Sequence, residues 1–362
     1  MSDKNKSVKS GAVEGVTAAA PVSAMTEKKS SVKEFFINNS LYILIVIAII
    51  GIEIYDPRFL SLSSIINIIS LSAANLPIAL GIAGCIILTG TDLSAGRIVG
   101  LTACVAASLL QMSGYAGKMF PNLPEIPVWA VFLIIIAIGG IIGLINGFCT
   151  AKFKLHPFIV TLATQLITYG ILLMYLMQGT NNGQSISGLD SRYTDFITGS
   201  ALRIGGTSIP NYIFYVVLIV ALMWFIWNKT AFGKNMFAVG SNPEAANVSG
   251  VNVTRTIILV FALAGVMYAV TGFIEAARIG SNSAATGLNY ELDAIAACVI
   301  GGVSFVGGIG KIRGVIMGVV LLRIIFVGLT FLGIDSNMQY IIKGLIILVA
   351  CAIDMRKYLV RR

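Results

Sequence analysis

Charged residues make up only 11% of this 362-residue chain, so the few that fall inside apolar runs are where chemistry would be found. Asp92 opens the string Asp-Leu-Ser-Ala-Gly-Arg, with Ser94 and Arg97 close behind it. Glu275, Arg278, Glu291 and Asp293 gather in a later stretch, and Arg323 and Lys343 stand alone in the apolar runs that follow. A charge at mid-bilayer costs roughly 2.5–3.5 kcal/mol on insertion scales, so buried ones face protein or a water path. Asp92 sits where an N-cap would satisfy free amides at a helix start. Its other readings are a pairing with Arg97 or a place along a solute path. For Glu275, Arg278, Glu291 and Asp293 two readings stand: a position in interfacial water, or burial with mutual pairing along such a path. Arg323 and Lys343 lie deeper and are expected to pair with a carboxylate or to snorkel.

Other chemistries find little support. His156 is the only histidine and precedes Pro157 in a basic loop; a lone imidazole builds neither a metal site nor a proton relay. Cys85, Cys104, Cys149, Cys298 and Cys351 all fall in apolar runs without paired spacing, which reads as small buried hydrophobes and no metal site. A phosphate loop needs Gly-x-x-x-x-Gly-Lys-Ser/Thr. Gly310-Lys311 is followed by Ile312 and Gly233-Lys234 by Asn235, so neither qualifies. No His-Glu-x-x-His or Gly-x-Ser-x-Gly string supports an enzyme.

The elements that must hold these residues are set by composition. The chain is 57% hydrophobic, with a mean hydropathy of +0.89, whereas soluble domains carry about 25% charged residues. One crossing takes roughly 20 apolar residues, and unbroken rather than alternating runs select helices. The expectation is an all-α polytopic membrane protein with about ten transmembrane helices. They fall near 40–55, 63–88, 93–112, 127–149, 157–177, 212–227, 256–277, 289–304, 312–332 and 338–354. The eighth is crowded by glycines at its end and is open to being broken or re-entrant. Gly139, Gly143 and Gly147, then Gly314 and Gly318, have the spacing that lets helix backbones approach closely. Residues 1–36 read as a disordered basic tail, 37–358 as one membrane domain and 359–362 as a short end.

The net charge of +9 is not a nucleic-acid signal here, because basic residues mark the inner loops of membrane proteins. With the N-terminus inside, the tail lysines, Arg97, Lys152, Lys154, Lys229, Lys234, Arg255, Lys311, Arg313 and the C-terminal basic residues fall inside. Only Arg58, Lys118, Arg192, Arg203 and Arg278 fall outside. Both termini are then cytoplasmic, as is the polar island 228–255.

That island holds the sharpest local signal. Asn242 is a good N-cap, Pro243 suits the first helical position, and Glu244 suits the positive end of the helix dipole. Gly250 suits a left-handed C-cap. The predicted helix has about two turns, too short to persist unless something packs on it. It is either a capped turn between spans or an element whose Ala245 and Ala246 fit a groove on another protein.

Asn242-Pro243-Glu244-Ala245-Ala246, with Ser249-Gly250-Val251 after it, resembles the coupling loop of permease subunits of ATP-binding-cassette sugar importers, in the branch of the ribose and galactoside permeases. Thr89–Arg97 resembles that family's Gly-x-Asp-Leu-Ser-x-Gly motif, and Tyr290–Gly302 its Tyr-Glu-Leu-Asp-Ala-Ile-Ala-Ala motif. Trp227–Thr230 and Phe232–Asn235 read much like the galactose/methyl-galactoside members, whereas the Lys/Ser-rich tail and the loop 178–211 depart from them. The resemblance, running from about residue 35 to about 358, implies a homodimer in a bacterial plasma membrane. It implies an ATPase partner with two modules in one chain and an extracytoplasmic sugar-binding protein. ATP and magnesium would sit on that ATPase, with no cofactor on this chain, and Gly233 and the 242–250 element would take up its force. An ion-coupled transporter is the competing class; it needs acids near mid-bilayer, and residues 127–177 contain none.

Overall fold

The computed structural model describes residues 40–359. The chain divides into two compact units, residues 1–44 and 45–362. The predicted tail and residues 360–362 lie outside the described residues.

A helix stands at each of the ten predicted spans. They are α1 (Ser40–Tyr55), α2 (Leu62–Ile87), α3 (Ala95–Leu109), α4 (Val128–Lys152) and α5 (Pro157–Leu176). After α6 (Ser191–Thr198) come α7 (Tyr212–Lys229), α8 (Ala231–Ser241), α9 (Pro243–Val248) and α10 (Val253–Ile279). The chain ends with α11 (Tyr290–Ile300), α12 (Ile312–Phe331) and α13 (Ser336–Leu359). Among the described residues six, α2, α4, α5, α7, α10 and α12, are long and apolar enough to cross a membrane. The molecule is thus a polytopic helical membrane protein. An all-α description needs one amendment, an antiparallel hairpin of β1 (Leu202–Ile204) and β2 (Thr207–Ile209).

Helix α10 is the axis, packing on α4, α3 and α2. The glycine spacing expected to allow close approach does so. A Cβ on Gly139 would run into the Gly265 carbonyl, one on Gly143 into the Phe261 carbonyl, and one on Gly147 into Ile258. The same relation joins α12 to α11, Gly314 against Gly301 and Gly318 against Ala297. Without a hydrophobic drive between helices in lipid, such backbone contact is the main source of association.

Three polar side chains within α2 donate to their own helix. Ser70 and Ser72 donate to the Ile66 and Ile68 carbonyls at 2.7 Å, and Asn75 to the Leu71 carbonyl at 2.9 Å. Pro77, which lacks an N–H, follows in the same helix.

Two connections run inside the bundle. The turn after α2 is pinned to α5, where Thr161 Oγ1 donates to the Thr91 carbonyl and accepts from the Leu93 amide, both at 3.1 Å. Helix α3 therefore begins within the helix layer, and Arg97, expected in an inner loop, lies inside the bundle near the middle of α5. The eighth span is broken. Residues 280–289 run beside α3, with Thr286 and Gly287 backbone against Gly100 and Gly96, before the short α11 begins. The loop after α11 carries Gly302, Gly307 and Gly308 at positive φ.

The α4–α10 seam gives a test. Gly143→Leu should destabilise the detergent-solubilised protein by about 1–3 kcal/mol, the usual cost of overpacking. Gly170→Leu, at a position with open space, should leave thermal unfolding unchanged; equal melting temperatures for both variants would refute the seam.

Candidate functional site

The polar island folds as two helices, of which one was predicted. Thr230 caps α8, its Oγ1 accepting from the Gly233 amide at 3.2 Å. A Cβ on Gly233 would strike the Trp227 carbonyl, so this position keeps α8 tight under α7. The period of Met236, Val239 and Gly240, all buried on one face of α8, was readable within the polar stretch.

Helix α9 carries the predicted caps. Asn242 Oδ1 accepts from the Ala245 amide at 2.9 Å, Pro243 takes the first helical position and Glu244 lies in the first turn. Gly250 adopts φ +85°, and the Val251 amide closes onto the Ala246 carbonyl at 3.0 Å. The two alanines, expected to face a partner together, differ in burial. Ala246 is 6% exposed and packs into the chain, while Ala245 is exposed. Val248, which the motif did not flag, is 89% exposed. Pro243, Glu244, Ala245, Asn247 and Val248 of α9 are thus all exposed, and Ala246 alone is buried.

The element is wired into the bundle. A Cβ on Gly240 would meet the Ile87 carbonyl and the Gly308 amide; one on Gly308 would meet Ser241. The Gly308 amide donates to the Ile87 carbonyl at 2.9 Å. The end of α8, the end of α2 and the loop leaving α11 therefore touch backbone to backbone.

Asp92 and Ser94, both fully buried, belong to a polar knot. Asp92 Oδ1 accepts from the Ser94 amide at 2.9 Å and its hydroxyl at 2.6 Å, and Oδ2 accepts from Tyr268 Oη at 3.1 Å. Asn146 Nδ2 donates to Ser94 Oγ at 3.0 Å, and Thr164 donates to Asn146 Oδ1 at 2.6 Å. Asp92 thus holds an amide just ahead of α3, as an N-cap would, though it stands outside the helix, which starts at Ala95. It does not pair with Arg97. Arg97 donates to the Ala284 carbonyl at 3.1 Å and stacks over Tyr169 at 4.1 Å. Sequence reading missed Tyr268, Asn146 and Thr164; the lone Asn inside the apolar run of α4 was the available signal.

The later acids divide. Glu275, fully buried, pairs with Arg278 at 2.7 Å and accepts from Tyr290 Oη at 3.1 Å. Asp293 lies between Lys343 at 2.5 Å and Arg323 at 3.5 Å, the carboxylate partner expected for those two cations. Glu291 is buried against Gly96 of α3, apart from both pairs. His156 serves the backbone, its Nδ1 accepting from the Phe158 amide at 3.3 Å at the start of α5.

At the other end of the helices the segment 178–211, read as a polar loop, is ordered. Asp190 caps α6 and pairs with Arg192 at 2.5 Å, which also reaches Glu125 at 2.9 Å. Arg192 holds the Asp190 carboxyl below the usual carboxylate range. Ile186 bridges to Asn282, and Tyr193 Oη donates to the Phe273 carbonyl.

A family model described as "Branched-chain amino acid transport system / permease component" matches residues 64–351. The galactose/methyl galactoside import permease protein MglC of Escherichia coli is 47% identical over 330 residues, 91% of this chain and 97% of that protein. MglC of Haemophilus influenzae is 44% identical over 337 residues, covering 93% and 99%. The ribose import permease protein RbsC of Bacillus subtilis is 37% identical over 317 residues, covering 88% and 91%. No solved structure matches the chain. With most of its length matched both by the family model and by these relatives, the chain belongs to the family of such transport-system permease components.

Proposed function

We propose that this chain is the membrane permease subunit of an importer that brings galactose or methyl galactoside into the cytoplasm, driven by ATP hydrolysis on partner subunits. The observation that carries the reading is the exposed, doubly capped α9, seated by Ala246 and joined through α8 to the membrane helices at Gly240 and Gly308. The sugar follows from the relatives, since the galactoside permeases share more of the sequence than the ribose permease does.

In this reading residues 37–358 form one permease domain that crosses the bacterial plasma membrane ten times, with both termini cytoplasmic. Two copies line a central path. A sugar-binding protein docks on the outer surface built by 178–211, and an ATPase with two modules in one chain grips Glu244, Ala245 and Val248 of each copy. A short helix alone is unstable, so α9 can bear force only because its caps and Ala246 seat it on α8 and α10. Displacement of α9 passes to α8 and, at Gly240, to the end of α2 and the loop leaving α11.

Liposomes holding the permease and its ATPase, with binding protein outside, should accumulate galactose only when ATP is inside. Accumulation without the ATPase would end the proposal. Val248→Asp should cut ATP-dependent uptake at least tenfold while the chain still inserts and keeps its melting temperature. Gly240→Leu should separate hydrolysis from uptake, with the ATPase turning over and little sugar moved; unchanged sugar moved per ATP would remove that contact from the force path.

A further inference from the structure

The arginine inside the bundle has more hydrogen-bonding capacity than its surroundings use. Arg97 is half-buried beside the middle of α5, a helix whose other face is apolar. A guanidinium has five N–H donors. Among the described residues one of them is used, toward the Ala284 carbonyl, and the flat of the group rests on the Tyr169 ring. No carboxylate lies within ion-pair distance of it among the described residues. Hydrocarbon cannot satisfy the remaining donors, so the open side of Arg97 cannot face lipid.

The neighbouring groups share this surplus. Glu291, 5% exposed, presses its carboxylate onto Gly96, the residue next to Arg97. Among the described residues that carboxylate is met by its own backbone amide and by no cation within ion-pair distance, whereas Asp92, Glu275 and Asp293 each bond to the side chain of another residue. The Tyr169 hydroxyl has no partner among the described residues. Spare donors and an aromatic ring thus meet beside α3, with Glu291 set against the adjacent Gly96, where the broken segment 280–289 passes. If their only purpose were packing, the neighbouring chain could have closed these bonds, as it does at Asp92.

The geometry points to a water-lined station at which Arg97, Tyr169 and Glu291 contact the passing sugar. A pyranose fits this set. Each hydroxyl both donates and accepts, so it can take N–H groups from Arg97 and give hydrogen to Glu291, while its C–H face lies on Tyr169 or on the guanidinium plane. The bonds are few, as a transit site requires, because tight binding would slow release. The inference rests on the sugar-permease reading for its ligand, and on the unspent bonds for its place.

Two measurements test it. With Cys149→Ser and Cys351→Ser as background, Tyr169→Cys is exposed to a hydrophilic methanethiosulfonate reagent in membranes. It should react at least tenfold faster than Leu218→Cys on the exposed apolar face of α7, and galactose delivered by the binding protein to the working complex should slow it. Reaction at the Leu218→Cys rate, or oxidative cross-linking of Tyr169→Cys to a second copy without such labelling, would overturn the station. In the reconstituted complex Arg97→Gln and Glu291→Gln should each lower galactose uptake at least tenfold while still co-purifying with the ATPase; wild-type uptake by both would also overturn it. Failure of the unmutated complex to import galactose or methyl galactoside strikes the proposed function instead, and the sugar-free labelling rates still decide whether the station is aqueous.

Discussion

Polar groups placed among apolar helices have no water to fall back on, and this chain answers that constraint mainly at one helix. Val253–Ile279 presents small residues and backbone to three neighbours at once, so carbonyls and amides of different helices come within reach of short side chains. Tyr268 of this helix then reaches Asp92, and Glu275 holds Arg278 and Tyr290. Had the contact residues been large, the helices would stand farther apart and these short polar side chains would lose their partners. Close approach and polar satisfaction are therefore one design feature.

In the proposed coupling role, the same closeness would let an exposed element act on the interior. Val248 and Glu244 stand in the open, yet Gly240 is jammed between the Ile87 carbonyl and the Gly308 amide. A joint with no intervening side chains transmits displacement rather than absorbing it in rotamer changes. The glycines after α11 are at positive φ, a conformation that lets the loop turn sharply enough to meet two helix ends. Stiff contact at the joint and free backbone just beyond it suit the proposed passage of motion.

Much of this was legible in advance. The caps of α9 were readable because capping depends on residues three or four apart, which the sequence states directly. The four-residue glycine spacing announced backbone contact for the same reason. The pairing of Asp293 with Arg323 and Lys343 was expected in kind, since unpaired charges in lipid are costly, though which acid would serve was not. The inward turn of Ala246 and the outward turn of Val248 were not legible, because a two-turn helix shows too few residues to define a buried face.

The sequence by itself determined where the helices run, that they live in lipid, and which family's motifs they carry, because each of these follows from local composition or short spacing. Tertiary structure alone decided that α3 starts inside the bundle, that Arg97 leans on Tyr169 rather than on Asp92, and that Glu291 is set against Gly96. Those outcomes depend on how residues far apart in the chain come together across helices. No window of sequence contains that distance.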